Sequence, residues 1–189
     1  MRLVVASRNA HKLRELERML GGSVELELLP AEVELPPETG ETFAANALIK
    51  ARAAASATGR PALADDSGIE AAALGGRPGV RSARYAGPGA SDGENLAKLR
   101  AEVPAGSGLR YVCVIAHVTP EGAEHTFEGA CEGAMSAGAR GESGFGYDPV
   151  FLTGAEPGAR TMAELSPAEK DAISHRGRAA RALGAWLRG

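Results

Sequence analysis

Apolar and polar positions follow two periods along the chain, and the period switches several times. Leu3-Val4-Val5-Ala6 is a short apolar run of the kind a buried strand makes. Ser7-Arg8-Asn9 interrupts it with residue types that cap helices. Leu13, Leu16, Met19 and Leu20 then recur at helical spacing until Gly21-Gly22, which ends the predicted helix. Residues 24–29 predict a second strand, and residues 30–40, with Pro36-Pro37, predict a loop. Residues 41–58 are strong helix formers closed by Gly59 and Pro61. Ala62-Leu63-Ala64 predicts a brief strand that ends at Asp65-Asp66-Ser67-Gly68, with 69–74 as a continuation stopped by Gly75-Gly76. Residues 77–93 predict an irregular segment over a site, and 95–102 a helix. Residues 109–118 and 124–135 predict two long strands joined by a Pro-Glu-Gly turn, a hairpin. Residues 137–149 predict a glycine-rich loop. Ser166-Pro167-Ala168-Glu169 is a capping box with proline at the first helical position, and another helix is expected from near Ser174 to Trp186-Leu187. Helices interleave with strands while the hairpin is antiparallel. The expected fold is therefore α/β, a mixed central sheet with flanking helices, in one domain over residues 1–189.

Composition narrows the function more than the fold. The chain has 189 residues and a net charge of −3, which argues against a partner held by phosphate neutralisation along a nucleic acid polymer. No run approaches a membrane span. The apolar run at 3–6 is too short for the core of a secretion signal, so a cytoplasmic protein is expected. Cys113 and Cys131 are expected as buried thiols, and no Cys/His spacing suggests zinc. Arginine outnumbers lysine seventeen to four. Lysine is thereby marked out at Lys12, Lys50, Lys98 and Lys170, where a compact ammonium would suit phosphate oxygens. Lys98 lies in an ordinary helical pattern and is expected at the surface. So are the arginines near the C-terminus, Arg181 and Arg188.

Five constellations carry chemistry. Ser7, Arg8, Asn9, Ala10, His11 and Lys12 join a strand to a helix, where backbone N–H groups and the positive dipole end would hold a polyphosphate. The Walker spacing is absent. Asp65-Asp66-Ser67-Gly68 places carboxylates at a strand end, suited to Mg²⁺ or to accepting a proton from an attacking water. Neighbouring strand side chains face apart, so one aspartate at most faces the site. Glu38 or Glu41 could give a second metal oxygen, and Asn46 and Lys50 share one helical face. In Ser143-Gly144-Phe145-Gly146-Tyr147-Asp148-Pro149, glycines flank a ring on which a base could stack, worth roughly 1–3 kcal/mol. Lys170, then Ser174-His175-Arg176 at a new helix start, offer donors to a base or phosphate.

The order of these motifs, together with Gly-Gly-x-Pro-Gly at 75–79 and Ser-Ala-Arg-Tyr-Ala-Gly at 82–87, closely resembles the inosine triphosphate pyrophosphatase family from residue 7 to residue 178. The resemblance implies a mixed α/β fold of two lobes around an active-site cleft, Mg²⁺ dependence and a homodimer. It implies hydrolysis of nonstandard purine nucleoside triphosphates (ITP, dITP, XTP) to the monophosphate and pyrophosphate, removing them from the nucleotide pool. On the matching positions, Ser7, Arg8, Asn9, Ala10, His11 and Lys12 would hold the triphosphate with Lys50. Asp66 would be metal ligand and proton acceptor, Glu38 a further metal ligand, and Ser67 a substrate contact. Phe145, Gly146, Tyr147, Asp148, Lys170, His175 and Arg176 would form the nucleoside pocket. Arg176 has donors only, and a protonated or suitably tautomerised His175 can also donate; both would pair with the 6-oxo group of inosine or xanthosine, not with the adenine amine. Two buried mismatches of about 1–3 kcal/mol each give discrimination on the order of 10³. Two positions depart from the pattern: Arg8 stands where many members carry Gly, and Ala45 where many bacterial members carry an acid. Alternatives are a Maf-type pyrophosphatase, whose Ser-x-Ser-Pro-Arg start is missing here, and a sensor that binds without turnover.

Overall fold

The computed structural model describes residues 1–20, 22, 24–154 and 158–189. The described residues form six strands and five α-helices: β1 Arg2–Val5, α1 Ala10–Leu20, β2 Glu25–Leu28, α2 Phe43–Thr58, β3 Ala62–Ala71, α3 Asp92–Glu102, β4 Gly108–Val118, β5 Glu124–Met135, β6 Phe151–Leu152, α4 Pro167–Ile173 and α5 His175–Trp186. The strands form one sheet in the order β2-β1-β3-β4-β5-β6. β1 runs parallel to β2 and β3, and β5 antiparallel to β6. β4 and β5 are neighbours joined by a turn in which the Gly122 amide donates to the Thr119 carbonyl at 3.0 Å, too short a link for a parallel crossover. The sheet is mixed, as expected.

Local chemistry sets most boundaries. Thr42 caps α2 by accepting from the Ala45 amide at 3.1 Å, and Gly59, in the left-handed region at φ 62°, ends it. Ser91 and Ser166 cap α3 and α4 through reciprocal boxes with Glu94 and Glu169. The helix stop at Gly21 lies outside the described residues. β3 departs from expectation: Asp65-Asp66-Ser67-Gly68 does not end the strand but lies inside it, and Asp65 and Asp66 are both buried. The segment at 77–93 is partly regular, with a 3-10 turn over Gly79–Arg84.

The chain forms two compact units, residues 1–66, 113–129 and 175–189, and residues 67–112 and 130–174. Each has its own apolar core. In the first, Leu3, Val5, Leu16, Leu20, Leu63, Ile115 and Leu183 are sealed from water. In the second, Ile69, Leu99, Leu109, Tyr111, Val150, Phe151 and Met162 are. Within the first unit, β5 and α5 approach so closely that a Cβ on Gly129 would meet the His175 carbonyl and, at 2.5 Å, the Ala179 amide. Backbone cannot give way as a flexible side chain can. Gly129→Ala is therefore expected to cost about 1–3 kcal/mol of stability, read as a lower thermal midpoint; an unchanged midpoint would show that α5 moves freely against β5. Among the described residues no helix is long and apolar enough to cross a membrane.

Candidate active site

In the first unit, charged side chains converge on β3 from three helices. Consecutive strand residues point apart, and the two aspartates take different partners. Asp66 accepts from the Asn46 side-chain amide of α2 at 3.0 Å. Asn46 is fully buried, and its carbonyl oxygen accepts from the Gly40 amide at 2.8 Å, so one side chain ties the loop before α2 to the aspartate. Gly40 is demanded there, since a Cβ would lie 2.8 Å from that carbonyl oxygen. Lys50, one turn further along α2, donates to Glu38 and to the Asp65 carbonyl, each at 2.6 Å. The structure thus brings Glu38 to the lysine, while Glu41 is exposed.

Asp65 points the other way. Its Oδ2 lies 3.0 Å from Lys12 Nζ of α1 and accepts from Arg176 Nη2 of α5 at 3.1 Å. Arg176 Nη1 donates to Glu15 at 2.5 Å. Asp65, Glu15 and Arg176 are all buried. Burial works to raise the Asp65 carboxyl, but the charges of Lys12, Arg176 and Lys50 outweigh it and hold the group far below the ordinary carboxylate range. Asp66 is shifted oppositely: burial raises it, Lys50 opposes, and the negative charge of Glu38 raises it further. For Lys50, burial favours the neutral amine, yet Asp65 and Glu38 more than compensate and keep it charged. Burial pushes the Cys113 thiol beside this network up to about 12.

The helix start at α1 is arranged differently from the expectation of open N–H groups. The Asn9 carboxamide oxygen accepts from the His11 and Lys12 amides at 2.9 and 3.2 Å, so Asn9 is the N-cap. Ser7 accepts from the Asn9 amide at 3.2 Å. Arg8 turns away from that cap and donates to the carbonyls of Leu29, Pro30, Ala31 and Val33, which fastens the loop after β2. Ala10 and His11 are exposed. His175 is buried at the start of α5.

The second unit gathers the glycine-rich loop around Asp148. Its Oδ2 accepts from Lys170 Nζ at 2.7 Å and from the Phe145 amide at 2.9 Å, and its Oδ1 from the Tyr111 hydroxyl at 3.1 Å. Lys170 lies 5.1 Å from the centroid of the half-buried Phe145 ring, in cation–π range. Gly144 sits at φ 77°, and a Cβ there would press on the Asp148 carboxylate. Gly146 donates to Asp92 at 3.1 Å, and the buried Tyr147 donates its hydroxyl to the Ser82 carbonyl at 2.7 Å. Ser67 also falls in this unit, half-buried on β3. Lys98 is half-buried, and its ammonium donates to the Tyr85 carbonyl at 2.9 Å and lies over the Tyr85 ring. Each of the four lysines has a specific partner.

The model of the Ham1 family matches residues 3–186. The chain belongs to the Ham1 family. It is 50% identical over 191 residues to the dITP/XTP pyrophosphatase of Cutibacterium acnes, covering 96% of this chain and 94% of that relative. It is 52% identical over 200 residues to the protein of the same name from Frankia alni, covering 100% and 98%. The solved HAM1 protein of Coxiella burnetii superimposes with a TM-score of 0.88 at 42% identity, covering 100% of this chain and 98% of that one. Glu15 and the pairing of Asp65 lie outside the sequence-based expectation. A signal for Glu15 existed: an acid beside Leu16, within the apolar stripe of α1, needs a buried cation.

Proposed function

We propose that the whole chain, residues 1–189, is one Mg²⁺-dependent pyrophosphatase domain that hydrolyses dITP, XTP and ITP to the monophosphate and pyrophosphate, acting in the cytoplasm as a homodimer. The observation that carries the reading is the buried Asp66, held by Asn46, beside Lys50 and Glu38. The names of the relatives support the substrate class. Among the described residues no three His, Cys, Asp or Glu side chains gather as a metal cage. Two carboxylates, Glu38 and Asp66, are a donor set that fits a hard cation which keeps several waters and takes substrate oxygens, as Mg²⁺ does. Bound there, such an ion supplies Lewis-acid neutralisation of phosphate charge.

Asp66 orients a water and accepts its proton as the water oxygen bonds to the α-phosphorus. The bond from that phosphorus to the α–β bridging oxygen breaks, and pyrophosphate leaves. Lys12 and Lys50 neutralise the charge that develops on the phosphates. Phe145 offers its ring face to the base, with Lys170 fixed beside it by Asp148. His175 and Ser67 are further substrate contacts. Tyr147, Asp148 and Gly146 shape the loop that carries Phe145. In this reading Arg176, engaged with Asp65 and Glu15, serves the charge network rather than base selection. Arg8 likewise serves the loop at 29–33.

Pyrophosphate release from a panel of ITP, dITP, XTP and ATP tests the assignment. Fast release with Mg²⁺ from the first three, and none with chelator, is expected; binding of ITP without turnover would make the protein a sensor. Lys50→Ala is expected to weaken ITP roughly 10- to 100-fold, as loss of a charge-assisted contact does, while inosine is unaffected. Equal loss for both ligands would remove Lys50 from the phosphates.

A further inference from the structure

Lys12 reaches its place from the first turn of a helix through a flexible four-carbon stem, so its charge acts at one point only if something holds it. What holds it is a ring of alternating charges that begins and ends on α1. Lys12 pairs with Asp65 on β3 at 3.0 Å, Asp65 with Arg176 on α5 at 3.1 Å, and Arg176 with Glu15 on α1 at 2.5 Å. Glu15 lies three residues beyond Lys12, on the same helical face. The four formal charges cancel, which a buried network needs. Donors crowd on Asp65 Oδ2, while Oδ1 has no hydrogen-bond partner among the described residues. Side-chain exposure rises from 0% at Asp65 to 15% at Lys12, so the ammonium is the member of the Asp65–Lys12 pair that solvent reaches. Lys50 also feels the Asp65 charge, but its hydrogen bonds go to Glu38 and to the Asp65 backbone carbonyl. A change of the Asp65 side chain leaves that carbonyl in place.

We propose that Asp65 is a positioning residue that fixes the Lys12 ammonium for the substrate's phosphates, and that Glu15, acting through Arg176, fixes Asp65. This rests on the reading of Lys12 as a phosphate contact. Asp65 touches no reacting atom; it sets where one positive charge stands.

Steady-state kinetics with ITP on Asp65→Asn, Lys12→Ala, Lys50→Ala and the two double variants test it, with thermal midpoints measured alongside. Coupled neighbours depart from additivity and independent sites do not. Asp65→Asn is expected to lose roughly 30-fold in kcat/KM, mostly through KM, less than about 3-fold once Lys12 is alanine, and the full factor in the Lys50→Ala background. The same loss in all three backgrounds would overturn the proposal and leave Asp65 a purely structural residue. A normal KM in Lys12→Ala would overturn the phosphate reading beneath it, a different and separately visible failure. If Asp65→Asn does not fold, Glu15→Gln takes its place: a loss of roughly 5-fold that vanishes without Lys12 is expected, and a loss that persists contradicts the relay.

Discussion

Asp66→Asn is expected to lose at least about 10³-fold in kcat on ITP while the protein melts within a few degrees of the wild type. The substitution is isosteric and keeps a hydrogen-bonding partner for the Asn46 amide, so the packing around this buried position survives. What it removes is the charge. An amide cannot take a proton from water at neutral pH and is a poor ligand for a hard cation. The loss therefore falls on kcat at saturating substrate. Asp65→Asn differs in kind, because Asp65 faces Lys12 and Arg176, and its cost appears in KM. Near-normal kcat in Asp66→Asn would remove it as the base. A matching fall of kcat in both variants would mean that the two carboxylates act as one group.

Arg176→Ala is expected to cost about 3–5 kcal/mol of stability, the usual penalty for leaving buried charges without their partner. Asp65 and Glu15 both lose a cation, and neither is exposed to water. The pH dependence has a definite sign. The Asp65 carboxyl is held far below its ordinary value, so the network's stabilisation is complete above the unfolded carboxyl value of about 4 and fades as pH falls below it. The gap between wild type and Arg176→Ala, measured by chemical denaturation, should be widest near neutral pH and should narrow in acid. A constant gap from pH 7 to pH 3 would contradict the ion-pair account. The surviving activity is expected to fall by the same factor on ITP and ATP. A narrowed ITP-to-ATP ratio would return Arg176 to base selection.

The elements were legible wherever local chemistry decides them. The capping boxes at Ser166 and the Gly59 stop mark helix ends in the sequence itself, and the hairpin of β4 and β5 is written in two long strand-like runs. Asp65-Asp66-Ser67-Gly68 misled because its residue types favour turns. Here ion pairs hold Asp65 and the Asn46 amide holds Asp66, and the strand continues through both acids. Partner choice was the part that sequence could not give. Arg176 beside His175 looks the same whether its guanidinium faces a base or an aspartate 111 residues earlier. Arg8, likewise, reads as a charge for phosphate until the loop at 29–33 is folded against it.

In the proposed reaction water attacks the α-phosphorus, and the fate of the solvent oxygen tests this. Hydrolysis of dITP or XTP in oxygen-18 water, with Mg²⁺ present, is expected to place one labelled atom in the monophosphate and none in pyrophosphate. Label in pyrophosphate, or release of orthophosphate with a nucleoside diphosphate, would contradict it, since the bond cut would then lie on the other side of the bridging oxygen or between the outer phosphates.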